Sequence, residues 1–191
     1  MKLELITAPA IEPVSLLEAK DHLRVEIDND DAIITALITA ARRYGEKIQA
    51  RAYITQTWDW FVDEFPDLPF DVPLPPLQSI TSIKFFDEDD VESTFSSGKY
   101  HVDTKGFLGR ITLNSGESWP STTLRPINGV VIGLVAGYGA ASTDVPEEIL
   151  LALKILIAHY YENRQITDFT KQELIPFTAH HLLQVDRVWS I

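Results

Sequence analysis

Histidine and carboxylate side chains are the groups in this 191-residue chain best suited to chemistry. His159 and Glu162 stand three positions apart, a spacing that puts both on one helix face, as the metal sites of helical bundles require. Such a site needs a second motif of the same kind and further glutamates, and the sequence offers one motif only. A hydrogen-bonded, partly buried histidine is therefore the favoured interpretation. A metal-dependent hydrolase that uses His159 and Glu162 stays open as the alternative.

Two other groups of residues have the right chemistry but the wrong spacing for a metal. Asp87-Glu88-Asp89-Asp90 would add acids to such a hydrolase, but it lacks the alternating acids and central glycine of a calcium loop. It is typical of a solvated hairpin turn. His180 and His181 are adjacent, so on a helix they point about 100° apart and cannot easily share one ion.

Motifs for phosphate binding and covalent catalysis are absent from the sequence. There is no GxxxxGK[ST], no GxGxxG and no GxSxG. Gly137-Tyr138-Gly139 lacks a third glycine, which favours a turn at the end of a strand. The chain has no cysteine, so disulfides, thiolate metal sites and Cys–His catalysis are excluded. We therefore expect no catalytic residues, no metal and no cofactor.

The charge balance disfavours nucleic-acid binding. Lys and Arg total 16 against 28 Asp and Glu, a formal net charge of −12. Such a surface repels the phosphate backbone at long range unless a basic patch intervenes. A regulatory or nucleic-acid-binding module is thus a weaker alternative. No apolar run reaches the roughly 18 residues of a membrane span, and we expect neither a signal peptide nor a membrane partner.

One basic cluster interrupts the acidic sequence. Its members are Arg42, Arg43, Lys47 and Arg51. They lie toward the end of a predicted helix, where cations complement the helix dipole. The cluster is either a solvated helix face or a contact to an acidic neighbouring subunit.

The elements that must position these residues are mainly helices at the two ends of the chain. Between Asp28 and Thr57, apolar residues recur at the spacing of one buried helix face for about 22 residues. The acids from Asp28 to Asp31 are expected to cap that helix. Ser15 and Glu18 form a capping box for a shorter helix to about Arg24. Pro146 begins a third helix, apolar nearly all round and so expected to be central.

Between the helices the apolar period changes to two, which predicts strands. Prolines from 66 to 76 predict a rigid loop, and residues 1–14 an extended arm. The predicted fold class is α+β: a helical bundle, formed by an N-terminal helix pair and C-terminal helices, with a small, mostly antiparallel sheet inserted. We expect a single domain over residues 1–191, with the helical core at 15–52 and 145–190 and the β-rich insert at 53–141.

The C-terminal segment is unusually apolar for a chain terminus. Its anchors at helix-like spacing are Phe177, Leu182, Leu183, Val185 and Trp189. The segment either folds back as a fourth helix or serves as a docking arm. We expect both: docked on its own helices when free, and redeployed in an assembly. Deleting residues 176–191 is then expected to leave the remainder folded.

Several motifs occur in order along nearly the whole chain. They are Pro-Val-Ser-Leu-Leu-Glu-Ala-Lys at 13–20, His-Leu-Arg-Val at 22–25, the acidic stretch at 28–31, Thr-Gln-Thr-Trp at 55–58, Gly-Tyr-Gly at 137–139, Val-Pro at 145–146, His-Tyr-Tyr-Glu-Asn-Arg at 159–164, and Leu182, Leu183 and Arg187. The set resembles the head–tail connector proteins of long-tailed phages, also called adaptor or head-completion proteins, with relatives in prophages and gene transfer agents. Where that family has Pro-Tyr-Arg, this chain has Val185-Asp186-Arg187.

The resemblance implies a structural virion-assembly protein and not an enzyme. Members of that family form a ring, commonly of twelve subunits, beneath the portal protein; the ring extends the DNA channel and carries the stopper or tail-completion protein. It implies copies of the same chain, the portal and that tail protein as partners, with DNA passing through without specific binding. The expected location is the head–tail interface of a virion or phage-like particle, after synthesis in the host cytoplasm.

Overall fold

The structure, a computed structural model, describes residues 2–163, 177–185 and 187–188. Within these residues the fold is α+β, with four α-helices and eight strands that pair antiparallel. In chain order the elements are β1 (Lys2–Thr7), α1 (Leu16–Leu23), α2 (Asp31–Gln49), β2 (Gln56–Val62), β3 (Phe70–Val72), β4 (Leu77–Phe86), β5 (Glu92–Phe95), β6 (Tyr100–Asp103), β7 (Gly109–Leu113), β8 (Val130–Ala136), α3 (Glu147–Glu162) and α4 (Phe177–Gln184). The predicted α+β class is confirmed.

The described residues divide into two compact units. The β unit consists of residues 2–10 and 55–138, and the helical unit of residues 11–54, 139–163, 177–185 and 187–188. No helix in the described part of the chain is long and apolar enough to cross a bilayer.

The β unit contains two sheets. The larger has the strand order β1-β2-β8-β4-β5, and the smaller has the order β3-β7-β6. Strand β8 occupies the centre because its run Val-Val-Ile-Gly-Leu-Val-Ala is apolar on both faces, and six of its seven residues are buried. Aromatic rings extend this core: Trp119 stacks on Phe65 with ring centroids 4.9 Å apart and lies 5.0 Å from Phe95.

The extended N-terminal arm includes the edge strand β1 (Lys2–Thr7), which pairs with β2. One prediction about the β unit needs correction, because the proline-rich stretch is not wholly a loop. Phe70–Val72 pairs with Gly109–Ile111, and β4 begins at Leu77, directly after the last proline. Prolines at strand ends leave the ladder intact, which is why this stretch tolerates a strand.

In the helical unit, α2 packs against α1, α3 and α4. Helix α1 begins with the predicted capping box: the Ser15 hydroxyl accepts the Glu18 N–H at 3.2 Å, and the Glu18 carboxylate accepts the Ser15 N–H at 2.9 Å. Ile34, Ile38 and Ala41 form the buried face of α2, each no more than 3% exposed. The 3.6-residue period thus places one apolar stripe of α2 in the core.

The start of α2 differs from expectation. The helix spans 19 residues, fewer than predicted, and its N-cap Asp30 makes no side-chain capping bond. The Asp30 carboxylate instead accepts the Tyr161 hydroxyl. Asp28 and Asp31 both bind the Lys20 ammonium at 2.7 Å. These acids therefore link α1 and α3 to the start of α2. The Lys20 and Tyr161 side chains bind carboxylates that could otherwise accept backbone N–H groups of the first helical turn.

Helix α3 packs against all three other described helices, in agreement with the central position predicted from its apolar composition. Leu156 and Ile157 are buried, but Leu151 is 48% exposed. Leu151 is thus an apolar side chain on the outer side of α3.

Candidate functional site

The candidate metal ligands do not converge in the structure. His159 Nδ1 lies 3.2 Å from the Asn163 amide, and Glu162 is exposed at the end of α3. In the part of the chain that the structure describes, no three His, Asp or Glu side chains are grouped so that they could hold an ion. On α4, His180 is 3.3 Å from the Gln184 amide.

The acidic run at residues 87–90 forms the turn between β4 and β5. One carboxylate oxygen of Asp87 accepts the backbone N–H groups of Asp89 and Val91, both at 3.0 Å. Asp90 pairs with Arg125 at 3.2 Å. These bonds account for the acids as a hairpin turn, the interpretation favoured by the sequence.

The basic cluster separates into buried and exposed members. Arg42 is 6% exposed, and its guanidinium binds Glu12 at 2.7 Å and Glu46 at 2.8 Å. Burial disfavours the charged form of Arg42, but the hydrogen bond to Glu12 and the charge of Glu46 outweigh it and raise its pKa above the ordinary value. Arg51 is also 6% exposed. Neither side chain is presented to a neighbour, so both leave the set of candidate inter-subunit residues.

Arg43 and Lys47 have the opposite environment. Both are exposed, one helical turn apart on α2, and neither forms an ion pair with any described residue. Three further exposed residues continue their line along the helix. We call this line the α2 stripe: Ile33, Ala36, Ala40, Arg43 and Lys47. Its spacing alternates between three and four residues, as in a helix that packs lengthwise against another helix.

A second surface lies where α1, α3 and α4 meet. It is a groove of about 590 Å³, which we call the acidic groove; its lining residues are Glu18, Glu147, Glu148, Leu150, Leu151, Lys154 and Leu182. The Lys154 ammonium is 3.4 Å from Glu18, whereas Glu147 and Glu148 form no ion pair with described residues. The groove thus combines exposed leucine surface with unpaired carboxylates at the start of α3.

The predicted docking residues of the C-terminal segment have different environments. Leu183 is fully buried, Leu182 lines the acidic groove and Val185 is 72% exposed. The side chain of Phe177 and all of Trp189 lie outside the described residues. Helix α4 packs against α2 and α3. The structure therefore contains the folded-back arrangement, and portal docking by these five residues stays a prediction.

Sequence reasoning missed the acidic groove and the exact extent of the α2 stripe. Acidic residues are favourable in the first turn of any helix, so Glu147 and Glu148 give no signal of a groove. The signal for the stripe was present, because Ala36 and Ala40 continue the spacing of Arg43 and Lys47. A groove lined from three helices has no comparable signal in the sequence.

Known structures supply the wider context. No protein-family model matches the sequence, and no curated protein is a match. Solved structures do match: a chain of the "Virion of native gene transfer agent (GTA) particle" has a TM-score of 0.82 at 23% identity. The "Neck of empty GTA particle computed with C6 symmetry" contains a match with a TM-score of 0.81 at 23% identity. The "Neck of native GTA particle computed with C12 symmetry" contains one with a TM-score of 0.79 at 24% identity.

Each of these matches covers 100% of this chain and 97% of the other. The chain therefore has, from end to end, a fold found in gene transfer agent particles, including chains of the particle neck.

Proposed function

We propose that this chain is a structural protein of a virion or phage-like particle: a head–tail connector that forms a ring beneath the portal protein. The observation that carries the proposal is the end-to-end match to chains of particle necks, one of them in a neck computed with C12 symmetry. The ordered motifs of the sequence, from Pro13 to Arg187, support the same role independently of the fold.

In this role the ring extends the DNA channel and carries the stopper or tail-completion protein. The net charge of −12 supports a channel wall, because each phosphate neutralised by a cation would add affinity and slow the passage of DNA. The ring consists of copies of this chain, twelve in the proposed arrangement. No enzymatic activity and no cofactor form part of the proposal.

The C-terminal helix is the proposed contact to the portal. Val185 is exposed, whereas Leu183 is buried among the chain's own helices. Contact through Leu183 therefore requires α4 to leave its site, whereas contact through Val185 does not. Release of α4 from the chain's own helices is a shift between two conformations. The portal would drive this shift by binding the released conformation more tightly.

The test uses particles from cells that encode the chain. Deleting the gene should give DNA-filled heads without tails, and a plasmid copy should restore complete particles with a ring layer under the portal in cryo-electron microscopy. Mass spectrometry of the purified particles checks that the chain itself is present. Complete necks in particles that lack the chain would refute the proposal.

A further inference from the structure

The α2 stripe and the acidic groove are complementary in charge and in shape. The stripe carries two cations, Arg43 and Lys47, and the groove carries two carboxylates, Glu147 and Glu148, none of which forms an ion pair with a described residue. The other lysines and arginines of the described helices are Lys20, Arg42 and Lys154, and each has an acidic partner within the chain. The α2 stripe and the acidic groove thus carry charges of opposite sign and share no residue.

The apolar parts of the two surfaces also match. Ala36 and Ala40 have short side chains, so another surface can approach the α2 backbone closely in the middle of the stripe. In the groove, Leu151 is 48% exposed. A helix laid in this groove would remove the leucine from water, a gain proportional to the apolar area covered.

A closed ring needs such a pair of surfaces. Each subunit must present one patch to the neighbour on one side and a different, complementary patch to the neighbour on the other. A twofold dimer would instead need a patch that complements itself, and two stripes with like charges repel.

We propose that the α2 stripe of one copy docks in the acidic groove of the next copy around the ring. This inference rests on the proposed function, in which copies of the chain form a ring, and it names the contact between neighbouring copies. Arg43 and Lys47 approach Glu147 and Glu148, while Ala40 lies over Leu151. The charges set the register of the two helices and speed their encounter, and the covered apolar surface holds them together.

Cysteine cross-linking tests this contact, because the natural chain has no cysteine. A tagged Ala40→Cys chain is mixed with an untagged Leu151→Cys chain, and the purified proteins are oxidised at increasing concentration. We expect the mixed disulfide dimer to form faster than either homodimer. A Lys105→Cys chain, whose cysteine lies on an exposed loop of the β unit, serves as the control for random collision. Equal rates for all pairs would overturn the proposal.

Charge reversal tests the register in the same assay. Arg43→Glu with Lys47→Glu in the Ala40→Cys chain should slow the mixed dimer roughly tenfold. Glu147→Lys with Glu148→Lys in the Leu151→Cys partner should then restore the rate. Arg24→Glu reverses an exposed cation elsewhere in the helical unit and should have no comparable effect. Loss without restoration by the partner's reversal would also overturn the contact.

Because this assay uses purified protein, it distinguishes failure of the proposed contact from failure of the proposed function. If the particles lack the chain but the mixed dimer forms, the connector role fails and the contact stands as a self-association. If the chain is in the neck but the mixed dimer does not form, the role stands and the ring closes through other surfaces.

Discussion

At the scale of single residues, Arg42 shows how a charge on a helix surface can become part of a core. Its guanidinium satisfies Glu12, which precedes α1, and Glu46, one turn further along α2. Removing it would take away the cation that these two partly buried carboxylates share. The predicted basic cluster thus contains a buried, ion-paired arginine, Arg42, next to the exposed side chains of Arg43 and Lys47.

Arg42→Ala should therefore lower the free energy of unfolding by about 3 kcal/mol, the range for breaking a buried ion pair from one side. Arg43→Ala is the matched control, since its exposed side chain should change stability by no more than about 0.5 kcal/mol. Urea unfolding followed by circular dichroism measures both. Equal effects of the two substitutions would contradict the assigned burial.

Asp59 is a residue whose charge opposes folding. Burial on β2 raises its pKa above the ordinary 3.8; Lys84 opposes the shift, and Glu4 adds to it. A raised carboxyl pKa means that the folded state holds the proton more tightly than the unfolded state does. Stability is therefore lost as pH rises from about 3.8 through the raised folded pKa, and the penalty is complete above that folded pKa.

Asp59→Asn removes that penalty. At pH 7 the variant should melt at a higher temperature than the natural chain, and the difference should disappear below pH 3.8. Thermal melts from pH 3 to 7 provide the measurement. Asp71→Asn is a suitable control, because Asp71 is exposed on β3. A difference that is constant over this pH range would exclude the carboxyl as its source.

At the scale of elements, α2 contains a glycine that general helix propensity cannot explain. Gly45 lies in the helix interior, where alanine is normally preferred by about 1 kcal/mol. Here a Cβ at Gly45 would lie 2.5 Å from the Tyr53 hydroxyl and 3.1 Å from its ring. Tyr53 is fully buried and donates that hydroxyl to the Gln49 side chain at 2.6 Å. The ring packs on the helix backbone because glycine leaves room for it.

Gly45→Ala should consequently destabilise the protein by about 1–3 kcal/mol, as overpacking does, against the sign of its helix propensity. Ala in place of Tyr53 tests the cause. In the Tyr53→Ala background the Gly45→Ala change should become neutral or stabilising. A double-mutant cycle from urea unfolding measures this coupling. Independent, additive effects would show that the ring is not the obstacle.

Helix α4 combines a structural face with an exposed one. Ala179 and Leu183 are fully buried, whereas Val185 directly after the helix is 72% exposed. This burial changes the expectation for the deletion of residues 176–191, since the deletion would also remove a core leucine. Point substitutions therefore separate folding from docking better than truncation does.

At the scale of the whole molecule, two substitutions distinguish a helix that folds the chain from a helix that docks. Leu183→Ala should cost about 3 kcal/mol through the cavity that it leaves. Val185→Asp should leave stability within about 0.5 kcal/mol and reduce the content of this chain in purified particles. Thermal melts and quantitative mass spectrometry measure the two effects. Normal particle content of the Val185→Asp chain would remove Val185 from the portal contact.

The sequence by itself determined the features that depend on neighbours along the chain. The capping box of α1, the period of α2 and the turn at Asp87 all follow from residues within a few positions of one another. The α+β class follows from the change of apolar period between helices and strands. The resemblance to head–tail connectors also rests on ordered local motifs, and chains of particle necks share the fold.

Tertiary structure alone decided the features that depend on distant partners. The pairing of β1 with β2 and of β3 with β7 joins segments far apart in sequence. The burial of Arg42 depends on Glu12, 30 positions away, and the acidic groove depends on three helices meeting. Hydrophobic periodicity states which face of an element is buried but not what lies against it. A charged residue next to that face can thus become a core ion pair, like Arg42, or remain a free contact, like Arg43, and only its three-dimensional neighbours determine which.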